Sequence, residues 1–458
     1  MKVNTTKKYD TGNRADGWVQ AARLTEKYLL RPGRADELLA VAGQGMDARD
    51  AARCQLLFYG VLRNLSLIRV GLDSLCPRRP AREAEALLMV AGFELLDAGD
   101  DAGQRAKVTH NAVGKARAML PDKMSGFVNA VLRRLPDAFA GLAKKNMEPL
   151  ERLALLYSHP LWLVRRWAER FGPEDTEKLL RWDQQPPTVS VRLEEGTLPP
   201  ACLSPTRWPG YYTYDGGGWG AVAELLAARK AYAQDPSTRL CVEMLAPKPG
   251  MRVLDLCAAP GGKARQMIPM MLGRDEKDCA PSANSGPAED KAGKAVAPGG
   301  TLVCVDLPGG RCERLRENLA GPNGGLRVEV VESDVFDLCA EKFRTLGLPE
   351  QYDAVLLDAP CSNTGVLRRR PDARWRLKET DFQNCARLQA KLLAHAASLL
   401  APGGRMVYST CSIDDEENAA VTDAFLKASP QFKETGRITA LPWMDAHDGA
   451  GVAAFENA

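Results

Sequence analysis

From residue 238 onward, short apolar runs alternate with amphipathic stretches, and no other feature restricts the possible folds as much. Val253–Cys257, Leu302–Asp306, Val328–Val331, Ala354–Asp358 and Arg405–Ser409 read as strands, with helices fitting at Lys263–Met271, Arg311–Leu319 and Asp381–Leu400. A strand that returns through a helix pairs in parallel with its predecessor, and the helices then cover both faces of the sheet. The fold class expected for 238–458 is therefore α/β with a mostly parallel sheet. The stretch 273–300, rich in Ala, Gly, Pro, Ser, Lys and Asp, reads as a flexible surface insertion that cannot bury a core.

Upstream the pattern is helical. Leu38–Ala42, Leu56–Leu67, Ala84–Leu96 and Val128–Leu135 space apolar residues by three and four, punctuated at Pro32–Gly33, Pro77 and Gly99–Gly103. This predicts an all-α domain over 1–145 with five to seven helices. Residues 146–237 read as a small α+β unit. It opens with a helical stretch, Leu150–Phe171, interrupted at Pro160, and continues into a strand at Thr188–Leu193. A helix or short strand follows at Ala221–Ala233.

Charge divides along the same lines. Residues 1–145 carry 24 Lys+Arg against 16 Asp+Glu, whereas the remainder carries 37 against 42. A basic first domain beside a mildly acidic remainder fits nucleic-acid docking by one part and chemistry by the other. A solvated helical surface would show the same balance. No apolar run is long enough for a membrane span, and the polar first ten residues do not form a signal peptide. Twelve cysteines without a CxxC pair predict reduced thiols in a cytoplasm, not a disulfide framework or a metal site.

The chemistry gathers at predicted strand ends. Val253–Lys263 runs from a strand through Cys257, Ala258, Ala259, Pro260, Gly261 and Gly262 into a helix. Such a glycine turn lets a ligand approach the backbone and offers amide donors to an anion. No GKS/T ending follows, which argues against a nucleoside triphosphatase. Asp306 ends the next strand, where an acid holds ribose hydroxyls. Asp334 follows the third and is placed for an adenine amine, and Asp358 ends the fourth. Cys361 and Cys411 lie just beyond two strand ends facing one crevice. A thiolate there can add to carbon 6 of a cytosine, making carbon 5 nucleophilic, while Asp358 bonds the N3/N4 edge. Residue logic leaves open which cysteine attacks. Cys257, Cys304, Cys339 and Cys385, in or beside core elements, are expected to be inert and buried. Between the two cysteines, Arg368, Arg369, Arg370, Arg374, Trp375 and Arg376 form a basic, aromatic run suited to phosphates and stacked bases.

Taken in order, VLDLCAAPGGK (253–263), VDLPGGRCERLREN (305–318), ESDVFDL (332–338), DAPCSNTGVLRRRPDARWR (358–376) and YSTCSIDDEEN (408–418) resemble the RsmB/Sun (Fmu) and NSUN group of RNA cytosine-5 methyltransferases. Tyr157–Trp162 and Gln234–Ser237 are similar to the group's linker motifs. Gly126–Arg134 resembles the last helix of the NusB-like RNA-binding domain of its bacterial ribosomal members, which places Arg133 and Arg134 at RNA. The resemblance implies a Rossmann-like class I methyltransferase domain with a mostly parallel seven-stranded sheet. It implies S-adenosylmethionine on Cys257–Lys263, Asp306, Asp334 and Asp358. Cys411 would be the nucleophile and Cys361 would assist product release, with Asp358 and Lys263 alongside. The substrate implied is small-subunit ribosomal RNA, acted on by a monomer without a metal. Transfer RNA or large-subunit RNA is the alternative target, and a non-catalytic ribosome-assembly factor the alternative class. Three departures stand out. Glu194 follows Val191-Arg192-Leu193 where Asn is usual, Pro308 follows the retained Asp306 closely, and 448–458 lacks the group's aromatic, basic final strand, so a divergent or shortened end is expected.

Overall fold

The computed structural model describes residues 16–274, 299–321 and 323–457. The predicted insertion therefore lies almost wholly outside the described residues. The chain divides into two compact units, one running to Gln185 and including 367–377, the other comprising 186–366 and 378–458.

The first unit is helical. It contains α1 (Gly17–Leu30), α2 (Ala35–Ala42), α3 (Ala48–Arg63), α4 (Leu65–Leu75), α5 (Arg82–Asp97), α6 (Ala102–Met119) and α7 (Met124–Lys144). Side chains of Asp16, Asp47 and Asp101 accept backbone N–H groups at the starts of α1, α3 and α6, satisfying donors that have no partner inside the helix. Trp18, Phe58, Leu62, Leu87 and Leu132 center one continuous core. Two further helices, α8 (Pro149–Leu156) and α9 (Leu161–Gln184), belong to this unit, not to the small α+β unit expected from the sequence. Helix α9 breaks at Gly172, whose φ of 79° is open to glycine, just before Pro173.

The second unit contains two sheets. Strands β1 (Ser190–Leu193), β2 (Leu203–Pro205), β3 (Tyr211–Tyr214) and β4 (Ala231–Ala233), with α10 (Trp219–Ala227), form a small antiparallel sheet of order β2-β3-β1-β4. After α11 (Arg239–Leu245) come β5 (Arg252–Leu256), α12 (Gly262–Met271), β6 (Thr301–Asp306), α13 (Gly310–Leu319), β7 (Arg327–Glu332), α14 (Ala340–Thr345) and β8 (Tyr352–Asp358). The short α15 (Ala373–Arg376) lies within the segment assigned to the helical unit. The chain ends with α16 (Glu379–Ser398), β9 (Leu400–Thr410), α17 (Ala419–Ala428), β10 (Phe432–Ala440), α18 (Pro442–Asp445) and β11 (Ala450–Asn457).

The large sheet has seven strands in the order β10-β11-β9-β8-β5-β6-β7. The pairs from β9 to β7 are all parallel, and β11 runs antiparallel to both its neighbours. Alternate residues feed two cores. Leu254, Val303, Val305 and Val355 face one, and Val253, Leu302, Ala354 and Leu356 the other. Residues 450–457 form β11, paired with β9 and β10; Val452–Phe455 on it are buried, with Phe455 as the strand's one aromatic residue and no Lys or Arg.

Candidate active site

The crest of β5 carries the glycine turn. Gly261 has a φ of 100°, and a Cβ there would come within 2.8 Å of Leu315, so only glycine closes the turn against α13. Ala259 N–H donates to Asp306 at 2.8 Å, and Leu307 N–H donates to the other carboxylate oxygen at 2.9 Å. Asp306 thus braces the turn from the end of β6. Asp334 follows β7, is exposed, and accepts the Phe336 N–H at 3.0 Å. Asp358 ends β8 and pairs with Lys263, whose ammonium also reaches the Ser409 hydroxyl at 3.3 Å. Burial disfavors that ammonium, yet Asp358 against it more than compensates and keeps Lys263 charged beyond the ordinary lysine range.

The single acid of the motif 253–263 had no role assigned from the sequence. Asp255 on β5 is fully buried, and neither carboxylate oxygen has a hydrogen-bond partner among the described residues. Burial, reinforced by Asp358, pushes its pKa up to about 8. A nucleoside-bearing cation fits this donor set. The turn offers backbone approach, Asp306 and Asp334 stand at successive strand ends, and Asp255 leaves a buried carboxyl uncommitted.

The two cysteines meet. Asp358 and Ser409 are register partners across β8 and β9, so the loops that follow leave the sheet side by side. The sulfurs of Cys361 and Cys411 lie 3.0 Å apart. Gly365 N–H donates to the Cys411 carbonyl at 2.9 Å, and Gly449 N–H to the Gly365 carbonyl at 2.8 Å. A side chain at Gly365 would strike the Cys411 and Gly449 carbonyls, so this crossing requires glycine. The hydrogen bond to Cys411, together with burial, holds the Cys361 thiol well above the usual thiol range.

Glu417, which the sequence reading left without a role, ties the two loops together. Its buried carboxylate accepts Ser362 N–H at 2.9 Å, Gln389 Nε2 at 2.9 Å and the Ser412 hydroxyl at 3.0 Å. Burial raises its pKa. The only signal in the sequence was its place in the acidic run after Cys411. Among the cysteines expected to be inert, Cys304 is fully buried, and Cys257 and Cys385 are half-buried with pKa values pushed up to about 12 by burial. Cys339 departs from expectation. It is exposed at the start of α14, because the chain between β7 and β8 runs along the surface there.

The arginine run is corrected most. Arg374 is fully buried in the helical unit. Its guanidinium donates to the Ser158 carbonyl at 3.3 Å, the Asp183 carbonyl at 3.1 Å and Gln184 Oε1 at 3.3 Å. These partners enclose the guanidinium and shut it off from solvent, and burial pushes its pKa down to about 10. Trp375 donates its indole N–H to the Leu62 carbonyl at 2.7 Å and packs on the helical core. The Arg368 guanidinium stacks 4.3 Å over Trp182, and Arg376 pairs with Asp372 at 2.8 Å. Arg369 and Arg370 are half-buried. Arg133 and Arg134 are exposed on α7.

Comparison with known proteins agrees with this geometry. A ribosomal RNA small subunit methyltransferase B of Klebsiella pneumoniae subsp. pneumoniae is 30% identical over 455 residues, covering 94% of this chain and 95% of the relative. The chain belongs to the 16S rRNA methyltransferase RsmB/F family. That family's model matches residues 292–447, and the NusB family matches 23–137. A probable ribosomal RNA small subunit methyltransferase B of Bacillus subtilis is 30% identical over 335 residues, 71% of this chain and 68% of the relative. For the fold, the crystal structure of PH0851 superposes with a TM-score of 0.72 at 22% identity, covering 98% of this chain and all of that one. A Pyrococcus horikoshii methyltransferase homolog covers 68% of this chain and all of its own, with a TM-score of 0.51 at 20% identity. The all-α start and the Rossmann-like sheet expected from the sequence are both present.

Proposed function

We propose that this protein methylates carbon 5 of a cytosine in small-subunit ribosomal RNA through a covalent adduct between Cys411 and carbon 6. The observation that carries the reading is the pair of thiols 3.0 Å apart beyond β8 and β9, beside the Lys263–Asp358 ion pair. The turn 257–263 with Asp306, Asp334 and Asp358 would hold S-adenosylmethionine, which would supply the methyl group. The thiolate of Cys411 forms a bond to carbon 6, and the ring electrons move to carbon 5, which becomes nucleophilic. Asp358 accepts from the N4 amine and favours protonation at N3 as charge enters the ring. Lys263, paired with Asp358, holds that carboxylate in place at the end of β8. After transfer, a base takes the proton from carbon 5, the C5=C6 double bond re-forms and the C6–S bond breaks. Cys361, kept protonated, donates its S–H to the departing Cys411 sulfur. The cytosine must be single-stranded or flipped, because a thiolate reaches carbon 6 only from the ring face.

Bisulfite sequencing of ribosomal RNA from a deletion strain tests the target. One small-subunit cytosine should lose protection, and full retention of every protected site sinks the proposal. Labelled methyl transfer to small-subunit, large-subunit and transfer RNA separates the target classes. RNA binding without transfer would mark an assembly factor. The Cys361→Ala protein should accumulate a covalent RNA adduct and the Cys411→Ala protein none; the opposite result reverses the two roles.

A further inference from the structure

The arginines that the sequence pointed to are mostly committed inside the helical unit, which leaves open where RNA docks. A cleft of about 600 Å³ lies between α6 and α7. We propose that this cleft holds backbone phosphates of the RNA substrate. The inference rests on the ribosomal RNA reading above and deepens it by placing the docking surface.

Over its eighteen residues α6 carries Arg105, Lys107, His110, Lys115 and Arg117 and no acid. It buries Ala112 and Ala116 and packs Val108, Val113 and Met119 on the helical core, and its long cationic side chains are left at the flank. Arg105, His110 and Arg117 line one wall of the cleft, and Arg133 from α7 faces them. Ser125, Gly126 and Asn129 supply neutral polar groups, and Asp137 is the single carboxylate on the lining. Arg105 is tied to Asp100 at 2.9 Å, whereas Arg117 and Arg133 are exposed and carry no ion pair among the described residues. Unpaired guanidiniums converging across a polar cleft suit the fixed, repeating charge of a nucleic-acid backbone. A Cβ at Gly126 would meet nothing within 4 Å, so the backbone itself is open to close approach.

The test compares the full-length protein with its R117Q/R133Q and R117K/R133K variants, binding a small-subunit ribosomal RNA transcript across a salt series. The Gln variant should bind about tenfold more weakly, with the salt slope shallower by about 2. The Lys variant should retain most of the affinity. Both sites are on the surface, so an unchanged melting temperature confirms intact folding. Unchanged affinity and slope in the Gln variant would overturn the proposal. So would loss of orthophosphate binding with RNA affinity intact, which would assign the cleft to a free phosphorylated ligand. If the parent binds RNA but transfers no methyl group, the functional reading fails while a weakened Gln variant still supports the cleft. If all variants methylate with equal RNA affinity, the cleft alone fails.

Discussion

Two sets of arginines in the helical unit look alike in sequence and do opposite things in the fold. Arg374 in 367–377 is enclosed, with its donors turned inward onto carbonyls of α8–α9 and the connection between them. Arg117 and Arg133 stand in the open on α6 and α7 with no ion-pair partner among the described residues. A guanidinium is a rigid fork of donors that serves equally to collect backbone carbonyls or to bind phosphate. The difference between the two sets lies in what surrounds the charge. Composition therefore locates RNA-binding arginines poorly, and the enclosed set is the part of the catalytic half that completes the helical core.

The comparison can be broken most sharply at Arg374. Replacing it with Met should cost about 3–5 kcal/mol, because the carbonyls it serves would be left buried and unpaired. A lysine there should recover little, since an ammonium cannot span the same carbonyls. Calorimetry of the full-length protein checks both, and an unchanged melting temperature would detach 367–377 from the helical core. The next effect is expected at Glu417, a buried charge whose partners are donors. Glu417→Ala strands Ser362 N–H, Gln389 and the Ser412 hydroxyl, for a loss of about 1–3 kcal/mol. Methyl transfer should fall with it, and Glu417→Gln should retain more activity than Ala if positioning of the loops is its role.

Asp255 sharpens the contrast further, as a buried ionisable group with no hydrogen-bond partner at all among the described residues. Its pKa is raised to about 8 in the fold, so from about pH 4 to pH 8 the folded chain holds a proton there that the unfolded chain has lost. Stability from this site is present below pH 4 and declines as pH rises through that window, by up to about 1.4 kcal/mol per pH unit. Asp255→Asn should flatten the fall in melting temperature between pH 5 and 8, and an identical pH profile would show that Asp255 is charged in the fold. The smallest stability effect belongs to the open arginines. R117Q/R133Q should stay within about 0.5 kcal/mol of the parent, as surface substitutions do.

Much of the site was legible because strand ends are a local property. The alternation that marks β5, β6, β8 and β9 also fixes where each strand stops, and Asp306, Asp358, Cys361 and Cys411 follow those stops directly. The meeting of Cys361 with Cys411 needed only that their strands be parallel neighbors. Glu417 was not legible in the same way, since its importance lies in three donors drawn from three segments. Strand β11 was undervalued because its stability comes from pairing on both sides, with β9 and β10, and not from its own composition.

By itself the sequence determined the α/β alternation, the glycine turn at 261–262 and the placement of two thiols at one end of a sheet. These follow from side-chain period and backbone freedom, which act over a few residues. Only the tertiary structure decided that Arg374 is enclosed while Arg117 and Arg133 are open, that Asp255 is stranded, and that Glu417 joins the cysteine loops. Burial and hydrogen-bond partners are set by segments as far apart as Ser158 and Arg374, and a charge takes its role from the partners that the fold brings to it.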